Sequence, residues 1–145
     1  MLTTVEKAFA YITHEHRLLL FRHPYADEAG IQVPAGTLKP GETPEDAVMR
    51  EALEETGLPR LVFNRYLGDD KFPRPERSEV HHRHFFHLTC ADRPLESWRH
   101  FEPDPLQADQ PPIIFEFFWA ALPNGIPPLA PGHDKFLSVL VQHLQ

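Results

Sequence analysis

Glu51, Glu54 and Glu55 stand at i, i+3 and i+4 within the stretch Gly36–Leu58. On a helix those positions are neighbours on one face. Like charges at that spacing repel and lower stability. A helix with only a structural role would interleave Lys and Arg, yet from Thr43 to Gly57 the only basic residue is Arg50. A hard divalent cation, which takes oxygen ligands, turns three crowded carboxylates from a liability into a binding set. The plainer alternative is a solvated acidic helix face. The same stretch also carries Glu42, Glu45 and Asp46.

The chain around these residues has the boundary chemistry of a helix. Thr43 is placed to be the N-cap and Pro44 suits the first helical position. Glu45 and Asp46 fall in the first turn, where the helix dipole favours negative charge. Gly57 can take the left-handed conformation that ends a helix, and Pro59 prevents continuation. At helical spacing Val48, Met49, Ala52 and Leu53 form a core-facing arc. Glu51, Glu54 and Glu55 form a separate arc that includes Ala47, a small residue that leaves room beside the carboxylates. Gly36 and Gly41 punctuate the loop leading in.

Before the helix, residues 5–21 read as a hairpin turning at Thr13–His16, and Ile31–Val33 as a short extended piece. After it, Leu61–Leu67 reads as a strand and Gly68–Ser78 as a polar loop. Val80–Cys90 reads as a strand with Val80, His82, His84, Phe86 and Leu88 on one face and His81, Arg83, Phe85, His87 and Thr89 on the other. Residues 91–112 read as a long irregular connection, of a length more often functional than idle. Ile113–Leu122 is the strongest strand signal. Asp134 can cap a final helix with Phe136, Leu137, Leu140 and Leu144 as its apolar stripe. Strands, helix, strands, helix describe one α/β domain over residues 1–145, with a mixed sheet between helices.

At 145 residues the chain suffices for one domain with a substantial core. Its formal charge of -7 argues against sequence-independent binding to nucleic acid or anionic membranes. It is compatible with a small phosphorylated ligand held through a metal. Cys90 is the only cysteine, so no internal disulfide or thiolate cluster is available, and it reads as a buried small residue. There is no leader-like apolar stretch and no run of the ~20 apolar residues a membrane span needs. A reducing cytoplasm is the expected location. The sequence does not set the oligomeric state, and a homodimer is compatible with it.

Gly36, then five residues, Glu42, then seven residues, and Arg50-Glu51-Ala52 followed by Glu54-Glu55, Gly57 and Leu58 resemble the signature of the Nudix hydrolase family. Ala52 stands where a larger aliphatic residue is usual. The resemblance implies the Nudix fold, an α/β/α sandwich. It implies cleavage of the pyrophosphate bond in a nucleoside diphosphate linked to another moiety, with Mg²⁺ or Mn²⁺. Glu51, Glu54 and Glu55 would be the metal ligands. By resemblance, the base that deprotonates water is Glu54 or Glu55, or a residue outside the motif. Arg50 would orient a carboxylate by a salt bridge, and Gly36 would let backbone approach phosphate. Glu42 is either a ligand or an acceptor that fixes the loop.

Outside the motif, Glu116 inside IIFEFFWAAL is costly to bury unless paired, which makes it a possible extra ligand or base; the alternative is a solvent-facing position. Glu79 and Glu102 are weaker choices. His81, His82, His84 and His87 suggest a metal, but no helical His-Glu-x-x-His pattern is present and nothing fixes a third ligand. They are read as polar, partly exposed or substrate-facing. Trp98, Phe101, Phe117, Phe118 and Trp119 are read mainly as core. On substrate, Pro34-Ala35-Gly36 and Pro73 resemble features of ADP-ribose and nucleotide-sugar pyrophosphatases. Glu76 stands where dinucleoside polyphosphate hydrolases resemble one another in having tyrosine. The alternatives are a nucleoside triphosphate pyrophosphatase and, from another class, a non-catalytic nucleotide-binding module.

Overall fold

Alternation of apolar side chains builds a seven-stranded sheet in this computed structural model, which describes residues 1–102 and 112–144. The strands are β1 (Thr3–His14), β2 (Arg17–Arg22), β3 (Ala35–Thr37), β4 (Leu61–Arg74), β5 (Glu79–Cys90), β6 (Ser97–Glu102) and β7 (Ile113–Ala121). Helix α1 (Pro44–Thr56) follows β3, and α2 (Leu137–His143) follows β7. The spatial order is β4-β5-β1-β2-β7-β6, with β3 paired to β1. β1 and β5 are parallel and the other pairs antiparallel. The sheet is therefore mixed, as expected.

Both faces are covered, one per helix. Ala8, Ala10, Ile12, Leu19, Phe86, Leu88, Phe115 and Phe117 pack with Ala47, Val48 and Ala52 of α1. Phe9, Tyr11, Leu18, Leu20 and Phe85 pack with Leu140 of α2. Leu18, Leu19 and Leu20 are all fully buried, because β2 lies inside the sheet between two helical layers, where a strand reads as a continuous apolar run. Burial of each such side chain contributes about 1.5–3 kcal/mol. The β1–β2 hairpin turns at Glu15 and His16, both at positive φ (50° and 62°), the geometry that matches strand twist in two-residue turns.

Several local expectations are corrected. β4 does not end at Leu67 but runs to Arg74, with register shifts between Phe63 and Arg65 and between Tyr66 and Gly68. A short 3₁₀ turn, Pro75–Arg77, completes what was read as the 68–78 loop. Pro73 is tolerated because β4 is an edge strand. Within the expected irregular connection, residues 97–102 form β6 and pair with β7; residues 103–111 lie outside the described residues. On α1, Ala47 is fully buried and Leu53 is 36% exposed, so the core-facing arc is rotated toward Ala47. Its small side chain lets the helix sit close to the sheet. Asp134 makes no side-chain cap; α2 begins after Phe136. Cys90 is half-buried, with its thiol donating to the Asp92 carbonyl at 3.1 Å. No helix among the described residues is long and apolar enough to cross a membrane.

Candidate functional site

The caps of α1 form as read. The Asp46 N–H donates to Thr43 Oγ1 at 3.1 Å, and Gly57 takes φ 74° with its N–H on the Leu53 carbonyl at 3.0 Å. His100, given no role in the sequence, and Trp98, read there mainly as core, finish the helix end. His100 Nε2 donates to the Glu54 carbonyl at 2.8 Å, and Trp98 Nε1 to the Thr56 carbonyl at 2.8 Å. Both come from β6 and satisfy carbonyls that a helix C-terminus leaves open. The signal for them was present in Trp98-Arg99-His100, but without β6 they had no address.

Arg50 organises the acidic group. Its Nε and Nη2 donate to the two oxygens of Glu42 at 2.7 and 2.9 Å, a bidentate fork. Its Nη1 donates to Glu51 Oε1 at 2.8 Å and lies 3.4 Å from Glu54 Oε2. Nη2 also reaches the Thr37 carbonyl at 3.2 Å. Glu42 further accepts the Lys39 N–H at 2.9 Å. Both Glu42 oxygens are thus engaged in tying loop to helix. The Arg50 hydrogen bonds pull the Glu42 carboxyl down to about 2, and Glu42 raises Arg50 in turn.

Glu51 lies against Gly36 so closely that a Cβ built on that glycine would stand 2.1 Å from the Glu51 carboxyl carbon. The glycine is required by this approach. Glu54 is half-exposed, with its side chain at 49%. Glu55 is buried at 5%, unlike the open acidic arc expected of it, because the same rotation that sinks Ala47 sinks Glu55. Gly36, Glu42, Arg50, Glu51 and Glu54 are therefore brought together, with Glu55 one step along the helix.

Glu116 is not brought to this group. Its neighbours Phe115 and Phe117 point into the α1 layer, so strand alternation places Glu116 on the opposite face. Arg22 Nε donates to its Oε1 at 2.7 Å and Arg99 Nε to its Oε2 at 3.0 Å. Arg22 first, then Arg99, hold its carboxyl below the usual range. The carboxylate inside the apolar strand is explained by pairing. Glu79 contacts His81 Nε2 at 3.0 Å; the Glu102 side chain lies outside the described residues. His81 and His87 are buried, at 4% and 2% exposure, against the expectation of partial exposure.

On the α2 side a cavity of about 510 Å³ is lined by Gln32, Phe72, Arg74, Arg83, Pro131 and His133 among others. The Arg83 guanidinium lies 3.9 Å over the Phe72 ring and 4.9 Å from that of Phe9. Its Nη1 donates to the Pro131 carbonyl at 2.9 Å, and its buried Nε has no hydrogen-bond partner among the described residues. Lys7 lies next to β3. Its Nζ donates to Thr37 Oγ1 at 2.7 Å, beside Gly36 in β3. Burial lowers its pKa, Arg77 and Arg83 push the same way, and Glu79 and Glu51 oppose them. Lys7 thus feels Arg77, Arg83 of the cavity wall, and Glu51.

A mixed sheet between two helices, with an arginine-ordered carboxylate group set against a glycine strand, is the architecture of a Nudix domain. Residues 4–139 match the family model of the NUDIX domain, and the chain belongs to the Nudix hydrolase family. It is 39% identical over 64 residues to the NAD-capped RNA hydrolase NudC of Vibrio parahaemolyticus serotype O3:K6 (strain RIMD 2210633). That match covers 44% of this chain and 24% of the relative, so it spans about a quarter of that protein's length. A MutT NUDIX hydrolase from Burkholderia pseudomallei superposes with a TM-score of 0.64 at 21% identity, over 94% of this chain and 97% of that one. A UDP-X diphosphatase superposes with a TM-score of 0.64 at 19% identity, over 100% of this chain and 66% of that one. At these identities the two structures establish the shared fold. Members of the family generally use divalent metal ions and act on small nucleotide substrates.

Proposed function

We propose that this protein hydrolyses the pyrophosphate bond of a nucleoside diphosphate linked to another moiety, of the ADP-ribose or nucleotide-sugar class. The observation that carries the reading is the Arg50-ordered carboxylate set, with Glu51 seated on the bare backbone of Gly36.

Glu51, Glu54 and Glu55 offer only oxygen donors, the set that suits Mg²⁺ or Mn²⁺. When bound, such an ion neutralises phosphate charge and acidifies the attacking water. Arg50 spends its fork on Glu42 and turns Nη1 to Glu51, so Glu51 is held in one orientation by a group that is itself fixed to the loop. Glu54 is exposed enough to meet solvent water, and it takes the proton-accepting role. Gly36 keeps backbone within reach of phosphate. Lys7, hydrogen-bonded to Thr37 beside Gly36, offers a cation to the phosphates. The Phe72 ring with Arg83 stacked on it supports a cavity for the nucleoside end. Pro34-Ala35-Gly36 and Pro73 support the ADP-ribose or nucleotide-sugar preference.

The test is a panel of nucleoside diphosphate derivatives and nucleoside triphosphates incubated with Mg²⁺ or Mn²⁺, with products separated by ion-exchange chromatography. Release of a nucleoside monophosphate from ADP-ribose or a nucleotide sugar is the expected result. Pyrophosphate release from triphosphates alone would make the protein a nucleoside triphosphate pyrophosphatase. Binding without turnover of any member would make it a nucleotide-binding module.

A further inference from the structure

The parallel register of β1 and β5 sets Glu6 beside His82 and Ala8 beside His84. Ala8 and Phe86 fix that face as the α1 side, so Glu6, His82 and His84 all project there. Their geometry is tight. His84 Nε2 lies 2.9 Å from Glu6 Oε1, and His82 Nδ1 lies 3.0 and 3.1 Å from the two Glu6 oxygens. The two imidazole rings are 4.2 Å apart between centroids. One ligand atom from each of the three residues falls within 4.8 Å of the others. The third ligand that the sequence did not reveal comes from the start of β1.

A fourth residue decides how the set is read. His82 Nε2 lies 2.6 Å from Asp69 Oδ2 on β4. A neutral imidazole carries a single N–H. Spent on Asp69, it leaves the Nδ1 lone pair facing the Glu6 carboxylate, and two acceptors at that distance need a positive centre between them. Metal-binding histidines characteristically donate their other N–H to a carboxylate, which fixes tautomer and ring orientation. We propose that Glu6, His82 and His84 bind one borderline divalent cation of the Zn²⁺ or Co²⁺ type, with Asp69 as the outer carboxylate on His82.

The chemistry separates this site from the carboxylates of α1. Two imidazoles favour Zn²⁺, Co²⁺ or Ni²⁺ over Mg²⁺, which prefers all-oxygen shells. Side-chain exposures of 40% for Glu6, 22% for His82 and 13% for His84 leave one side of the set open to solvent. Three protein ligands with an open position accept a water or a ligand atom. Bound there, the cation would pin β1 to β5 directly and draw in the edge strand β4 through Asp69.

The experiment titrates the whole protein with Co²⁺ in the presence of millimolar Mg²⁺, reading visible d–d absorption and the thermal midpoint. One equivalent of Co²⁺ with a saturable band, and a midpoint raised by Zn²⁺ under the same conditions, is the expected result. Glu6→Gln and His84→Asn should each abolish the band, and Asp69→Asn should weaken affinity about 10–100-fold. Glu54→Gln, on the other carboxylate set, should leave it intact. No saturable band in the unaltered protein, a band that survives Glu6→Gln, or one that disappears in Glu54→Gln would overturn the proposal. Two separate ligand variants keep the test decisive if one fails to fold, and the half-exposed Glu6 is the safer of them.

Discussion

Around Arg50, a permanent cation already stands among the carboxylates of Glu42, Glu51 and Glu54. Around Glu6, the groups facing the carboxylate are histidines, whose charge is conditional. The first group is therefore ordered before any metal arrives, and it presents its acids in fixed positions. The second has no fixed cation and needs a proton or a metal to be satisfied. Preorganisation of the first suits chemistry, which depends on geometry held in advance. The conditional charge of the second suits a reversible ligand.

The contrast can be broken most sharply at Glu54. Glu54→Gln should lower turnover by about 10²–10⁴-fold, the range for a lost general base, with the thermal midpoint and Co²⁺ binding at Glu6 unchanged. Wild-type rates in that variant would remove Glu54 from the chemistry. Gly36→Ala comes next. The new Cβ would meet the Glu51 carboxyl, and a displacement on the order of 1 Å can cost about 10²-fold in rate. Steady-state kinetics should show the loss while circular dichroism stays native. An unaffected rate would mean that Glu51 need not sit where it does. Arg50→Lys keeps the charge but loses the fork; a fall of about 10–100-fold in activity or metal affinity is expected, and a neutral outcome would show that charge alone orders the group.

The smallest effect sets the Arg50 group against the buried histidines by pH. Burial holds His87 and His133 down to about 4 from an ordinary 6.5. Their folded pKa values lie below the unfolded ones, so their stabilising contribution is complete above 6.5 and is lost as pH falls toward 4. At pH 5 that loss is about 1–2 kcal/mol for each. Glu42, held at about 2 from an ordinary 4.5, keeps its folded-state charge throughout this window; its contribution is complete above 4.5 and is lost as pH falls from there toward 2. Thermal midpoints measured between pH 7 and pH 4 should fall progressively, and His87→Gln should flatten the fall. A midpoint level across that range would contradict the assignment of buried neutral histidines.

The α1 group was legible because its members lie within fourteen consecutive residues, Glu42 to Glu55, and cap signals flank them. What failed there was rotation. Leu53 and Ala47 exchange their expected roles because packing against β1, β3 and β6, not helical periodicity, sets the face. β4 was cut short for another reason. Its residues are mostly exposed, so an edge strand with polar runs such as Gly68-Asp69-Asp70-Lys71 carries no apolar alternation to read. β6 was lost in the same way. The Glu6 group was invisible because the period of β5 gives His82 and His84 but says nothing of which strand lies beside them.

That pairing also has a temporal side. Glu6 and His82 are 76 residues apart in the chain, and closing a loop of that size costs about 4 kcal/mol of chain entropy. The Arg50 group needs only a short local loop and one helix, elements that form in microseconds or less. During synthesis it can assemble while β5 is still unmade. The Glu6 group waits until the newest strand returns to capture the oldest one. The centre beside Glu6 therefore reports that β5 has docked on β1, with β7 and α2 still to follow.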